Sequence, residues 1–124
     1  VYASCDCVEL YNPKTVQSSM GALFRVSVHL VDLPTILREQ IADGVQVYQA
    51  SMEGRSVFSV SLARRAVLVL GSESHGISAE VRALNGQTIS IPGGGGTESL
   101  NVATAASALC MEFLRQRTAS RAAT

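Results

Sequence analysis

The chain has 124 residues, 47% of them apolar, and its Lys and Arg side chains are balanced by Asp and Glu to a formal net charge of zero, with a pI near 6.9. That length fits one domain with a substantial core, and the neutral balance excludes the broad basic surface of a general nucleic-acid binder, so any RNA attraction must come from a local patch or another domain. The longest apolar runs are too short to span a bilayer, the opening residues do not read as a secretory signal, and Cys5, Cys7 and Cys110 are an odd set, badly spaced for zinc, that reads as free thiols of a reducing cytoplasm.

Residues 1–4 have the character of a strand. Asn12 followed by Pro13 predicts a helix start, with Gly21 ending that helix. Over 23–31, Phe24, Val26, Val28 and Leu30 alternate with other side chains, which predicts a strand. Asp32 can cap a helix running through Asp43 and stopped by Gly44. A strand is expected over 45–50, while 52–65 is ambiguous. Residues 66–70, Ala-Val-Leu-Val-Leu, form a continuous apolar run typical of a strand buried on both faces. A short helix over 78–85 closes at Gly86, and the next strand covers 88–92. The longest helix is expected from Ser99 to about Arg117, with Val102, Ala106, Leu109 and Phe113 on one stripe, and the small polar tail 118–124 is expected to fray. This alternation predicts an α/β fold with a mainly parallel sheet and helices on both faces.

Two segments concentrate the chemistry: Gly71-Ser72-Glu73-Ser74-His75-Gly76, and Ile91-Pro92 followed by a glycine run at 93–96 and then Thr97-Glu98-Ser99-Leu100-Asn101. Each follows an apolar strand and leads into a helix, which leaves main-chain donors and acceptors free to meet a ligand. A P-loop needs Gly-Lys-Ser/Thr at the helix start, and this chain has no Lys there. A dinucleotide fingerprint fails on glycine spacing and on the missing acid. Residues 72–76 approach the nucleophile elbow of serine esterases, with Ser74 as nucleophile. Ser72, however, replaces the first glycine, His29 lies upstream in a strand, and His75 adjoins Ser74 and cannot easily turn back onto it as base. Taken singly, the residues have plain structural readings: His29 packs in a strand, His75 is solvated, Glu73 bridges, and Ser99 or Asn101 caps a helix.

Together the two segments are more specific. LVLGSESHGIS followed by ISIPGGGGTESLNVATAASALCMEFLRQR resembles the second and third motifs of the SPOUT superfamily, in its SpoU-type RNA 2′-O-ribose methyltransferase branch. YNPKTVQSSMGALFRVSV is similar to that family's segment between its first and second motifs. The resemblance covers nearly the whole chain. It implies an α/β domain with a C-terminal trefoil knot, S-adenosyl-L-methionine as cofactor, structured transfer or ribosomal RNA as substrate, and a homodimer, with neither metal nor membrane involved. Carried over residue by residue, Gly71, Ile91 and Leu100 match the cofactor-binding positions. Glu73 matches the acid of the second motif, and Ser99 and Asn101 the polar pair of the third.

The sequence departs from the family pattern in three ways. Ser72 and Ser74 stand where Asn and Gly are usual, and Gly93 stands where Met is usual. The first motif, with its Asn and catalytic Arg, is expected to lie before Val1, and Arg25 does not replace it. The resemblance therefore implies an N-terminally truncated catalytic domain, inactive or weakly active alone. A non-catalytic SPOUT-like module that binds RNA or a partner is the alternative, and an esterase using Ser74 a remote one.

Overall fold

The computed structural model describes residues 1–7, 10–93 and 100–123. It divides between Ile36 and Leu37 into two compact units. In the first, two short parallel strands, β1 (Tyr2–Ala3) and β2 (His29–Leu30), pair Tyr2 with His29 and Ala3 with Leu30. Helix α1 (Pro13–Ser19) begins as the sequence predicts: the Asn12 side chain accepts from the Lys14 amide at 2.9 Å, and Pro13, lacking an N–H, occupies the first turn. It ends on a left-handed pair, Met20 at φ 50° and Gly21 at φ 85°.

That pair redirects the chain. The strand expected over 23–31 is instead a 3₁₀ turn (Ala22–Phe24), in which the Phe24 amide donates to Gly21 and the Arg25 amide to Ala22, and only His29–Leu30 is extended in a sheet. The alternating apolar residues are not a buried face, since Phe24 is 80% and Leu30 67% exposed. The local hydrogen bonds after Gly21 override the pattern.

Helix α2 (Leu33–Ala42), in which the division falls, starts at Asp32, whose carboxylate accepts from the Thr35 amide, and is followed by Gly44 at φ 78°. The second unit holds a three-stranded parallel sheet in the order β4–β3–β5, from β3 (Gln46–Ser56), β4 (Ala66–Val69) and β5 (Gln87–Ser90). Val47 pairs with Val67 and Tyr48 with Gln87. An α/β architecture with parallel strands is what the chain pattern predicts. The core gathers Tyr48, Val57, Val60 and Ile89 against Leu109 of the long helix α4 (Val102–Ala122), with the Phe113 ring edge-on to Tyr48 at 5.5 Å.

The ambiguous stretch after residue 50 resolves into an irregular strand. Ala50 and Arg55 both register on Ile89, so residues 51–54 leave the ladder as an excursion and β3 then resumes to Ser56. Gly54 makes this possible. A Cβ there would lie 2.6–2.7 Å from the main chain of Thr88 and Ile89, and Ser90 Oγ donates to the Gly54 carbonyl at 2.8 Å. A 3₁₀ turn (Val57–Ser59) follows, and a short helix α3 (Ala79–Arg82), capped by Ser78, precedes β5.

Helix α4 departs from expectation at both ends. It starts at Val102 with Asn101 as its N-cap, and it continues to Ala122, through most of the tail expected to fray. Thr118 and Ser120 hydroxyls donate to carbonyls one turn back, which keeps their polar groups satisfied within the helix.

Its buried stripe carries an unforeseen acid. Glu112 is only 5% exposed, and accepts from Arg115 Nε and Nη2 and from Gln116 Nε2, each at 2.8 Å. Gln116 in turn donates to the Val60 carbonyl and accepts from the Leu62 amide, tying α4 to the segment after the 3₁₀ turn. The Arg115 and Gln116 hydrogen bonds outweigh burial and bring the Glu112 pKa down from 4.5 to about 2. Because the folded pKa is the lower one, the carboxylate's stabilisation is complete above pH 4.5 and drains away as pH falls toward 2. Thermal melts across that range are expected to show a steeper loss of Tm for the wild type than for Glu112→Gln. Parallel curves would show that Glu112 does not govern acid stability.

Candidate functional site

Strand β4 ends at Val69, and the chain passes through Leu70 to Gly71 before a tight turn. Ser72 and Gly76 exchange main-chain hydrogen bonds, the Gly76 amide donating at 2.8 Å and the Ser72 amide at 3.3 Å. The Ser72 hydroxyl accepts from the His75 amide at 3.0 Å, and Gly76 sits at φ 66°. The turn folds back on Gly71 so closely that a Cβ there would lie 2.2 Å from the Gly76 carbonyl carbon and 2.4 Å from the Ile77 nitrogen. Two glycines thus have separate reasons: Gly76 for its backbone angle, Gly71 for close approach.

Beside this turn, β5 runs out through Ile91, Pro92 and Gly93, and the chain returns at Leu100 to begin α4. Between them opens a cleft of about 850 Å³. Leu70, Ile89, Val102, Ala105 and Leu109 line it with apolar surface, while Gly71, Ser72, Glu73 and Gly93 bring backbone and polar groups. Gly71, Ile91 and Leu100, singled out from the sequence, all line this one cleft. Glu73 lines it too, and its Oε1 accepts from Asn101 Nδ2 at 2.8 Å.

Asn101 has a double engagement. Its Oδ1 accepts from the Ala103 amide at 2.9 Å and the Thr104 amide at 3.4 Å, capping α4, while its amide group holds Glu73. One side chain therefore joins the turn after β4 to the helix after β5. Ser99, the other polar residue of the third motif, lies outside the described residues, as does most of the glycine run. The helix cap, for which the sequence offers Ser99 or Asn101, belongs to Asn101.

The esterase alternative finds no support in this geometry. Ser74 is exposed, and its hydroxyl makes no hydrogen bond to either histidine among the described residues. Among the described residues, His75 is held only through its backbone amide.

Sequence reasoning missed one wall of the cleft. Ser51, Met52 and Glu53, from the excursion in β3, line it, as does Arg82 from α3. Ser51, Glu53, Ile77 and Arg82 also line an adjoining polar cleft of about 310 Å³. The one signal available was Gly54 within a strand-like stretch, which marks a bulge or a close backbone approach.

Residues 1–111 match the SpoU rRNA Methylase family. The 23S rRNA (uridine(2479)-2′-O)-methyltransferase of Streptomyces viridochromogenes is 33% identical over 123 residues, which cover 94% of this chain and 43% of that protein. The 23S rRNA (guanosine(2553)-2′-O)-methyltransferase of Bacillus subtilis is 30% identical over 102 residues, covering 82% of this chain and 41% of that protein. Among solved structures, the SpoU methyltransferase AviRb from Streptomyces viridochromogenes, in complex with the cofactor AdoMet, matches with a TM-score of 0.85 and 30% identity, over 95% of this chain and 49% of that one. The chain spans less than half the length of these curated relatives. Matched in sequence from its first residue to Met111, and in fold over nearly its full length, this chain belongs to the SpoU rRNA methylase family.

Proposed function

We propose that this chain is the catalytic domain of an S-adenosyl-L-methionine-dependent methyltransferase that modifies a ribose 2′-hydroxyl of ribosomal or transfer RNA, working as a homodimer. The observation that carries the proposal is the convergence of Gly71, Ile91 and Leu100 on one cleft that also holds the Glu73–Asn101 pair. The cleft fits the cofactor. Its volume of about 850 Å³ lies within the range of small-molecule sites, its floor is apolar, and polar groups gather at its rim.

In this reading the apolar floor and the side chains of Ile91 and Leu100 hold the adenosine, and the bare backbone at Gly71 lets it approach main-chain donors and acceptors. The cofactor supplies the electrophilic methyl group. A ribose hydroxyl is a weak nucleophile, so the protein must orient it and manage its proton. Glu73 offers Oε2, the oxygen that Asn101 does not engage, as acceptor for that proton. Asn101 fixes the carboxylate's orientation, and Ser99 is assigned to the catalytic group by its motif alone. The exposed side of α4, with Met111 and Leu114, supplies apolar surface for a second copy.

The test is transfer of tritiated methyl groups to bulk ribosomal and transfer RNA, followed by nucleoside analysis. The expected product is a 2′-O-methylated ribose. A methylated base would put the reaction class in error, and cofactor binding with no transfer to either RNA, even by a longer protein that also carries the family's first motif, would favour a non-catalytic module.

A further inference from the structure

Glu53 and Arg82 stand at the boundary between the two clefts and line both. They come from unrelated elements: Glu53 from the excursion that Gly54 allows in β3, Arg82 from the last turn of α3. Both are exposed. They form no ion pair with each other, and neither charged group has a partner among the described residues. The nearby acid differs, because Glu73 is already held by Asn101. An acid and a base that share one rim, without neutralising each other, present opposite charges to whatever enters between them.

We propose that Glu53 and Arg82 form a subsite for an α-amino-acid zwitterion, the methionine end of the cofactor. This rests on the cofactor reading given above and extends it to residues that no motif marks. The division of the wide cleft carries the assignment. Leu70, Ile89, Val102 and Leu109 make one part apolar and suited to a purine, whereas Ser51, Glu53 and Arg82 make the shared rim polar. A ligand that is apolar and aromatic at one end and zwitterionic at the other matches both parts in a single orientation. The ammonium group meets the Glu53 carboxylate. The carboxylate group meets the Arg82 guanidinium, whose planar donors suit bidentate contact.

The test is calorimetric and needs no turnover. S-adenosylhomocysteine and 5′-methylthioadenosine share the nucleoside, but only the first carries the amino-acid end. Glu53→Gln and Arg82→Gln are each expected to weaken S-adenosylhomocysteine roughly tenfold, as loss of a charge-assisted contact at an exposed rim does. Neither should change 5′-methylthioadenosine binding by more than about twofold, within the range of a neutral surface change. Arg82→Lys should recover part of the loss. Equal weakening of both ligands would overturn the subsite and assign the variants a structural effect. Unchanged cofactor-analogue binding with weakened RNA binding would overturn it in favour of a phosphate contact. If the wild type binds 5′-methylthioadenosine but no more tightly binds S-adenosylhomocysteine, the subsite fails while the nucleoside site stands. If it binds neither, the cofactor reading itself fails.

Discussion

Gly71→Val is expected to abolish binding of S-adenosylhomocysteine, with a loss of more than about 100-fold in affinity, equivalent to about 2.7 kcal/mol. The cause is backbone against backbone. A single Cβ at position 71 would lie 2.2 Å from the Gly76 carbonyl carbon, and no side chain can rotate away to relieve that overlap. The turn across residues 72–76 must open, breaking the paired hydrogen bonds between Ser72 and Gly76 and moving Glu73 away from Asn101. Ser74→Ala is the matching control. It alters an exposed side chain in the same turn and should leave binding unchanged. Calorimetry with both variants, alongside circular dichroism to confirm folding, makes the comparison. Wild-type affinity in Gly71→Val would remove this cleft from consideration as the cofactor site.

In a protein that also carries the family's first motif, Asn101→Ala is expected to lower methyl transfer on the order of 100-fold, the scale of losing a positioned acid–base group. Two functions disappear together. The Ala103 and Thr104 amides lose their cap, costing about 1 kcal/mol of stability, and Glu73 loses the donor that fixes its carboxylate. Asn101→Ser separates them, because a hydroxyl can cap the helix but is too short to replace the amide on Glu73. Its Tm should approach that of the wild type while transfer stays low. If Asn101→Ser restores transfer as well, the residue matters only as a cap.

The second and third motifs were legible as motifs because their physical demands are local. Gly71, Glu73 and Ile91 sit within a few residues of strand ends and Leu100 and Asn101 at the start of α4, and the family match over residues 1–111 bears out the resemblance read from those motifs, whereas the hydrogen bond between Glu73 and Asn101 belongs to the folded chain. The strand expected over 23–31 failed for a reason equally local but weaker in sequence. The left-handed Met20–Gly21 pair feeds a 3₁₀ turn, and alternating apolar residues do not reveal whether anything covers them.

The sequence by itself determined the α/β order of elements, the capped starts of α1 and α2, the buried stripe of α4 and the glycine-bearing turn after β4, all set by periodicity, capping chemistry and backbone freedom within short spans. Tertiary structure alone decided three further features. It placed the β3 excursion beside the cleft, because Gly54 packs on the main chain of Ile89, a residue far along the sequence. It buried Glu112 on an otherwise apolar stripe, because Gln116 and Arg115 satisfy the carboxylate and Gln116 reaches the Val60 carbonyl. It brought Arg82 and Glu53 to one rim although no motif links them. Pattern along the chain reports what each residue needs from its neighbours in sequence. Close backbone approach and the partnering of a buried charge depend on residues that only the folded chain brings together.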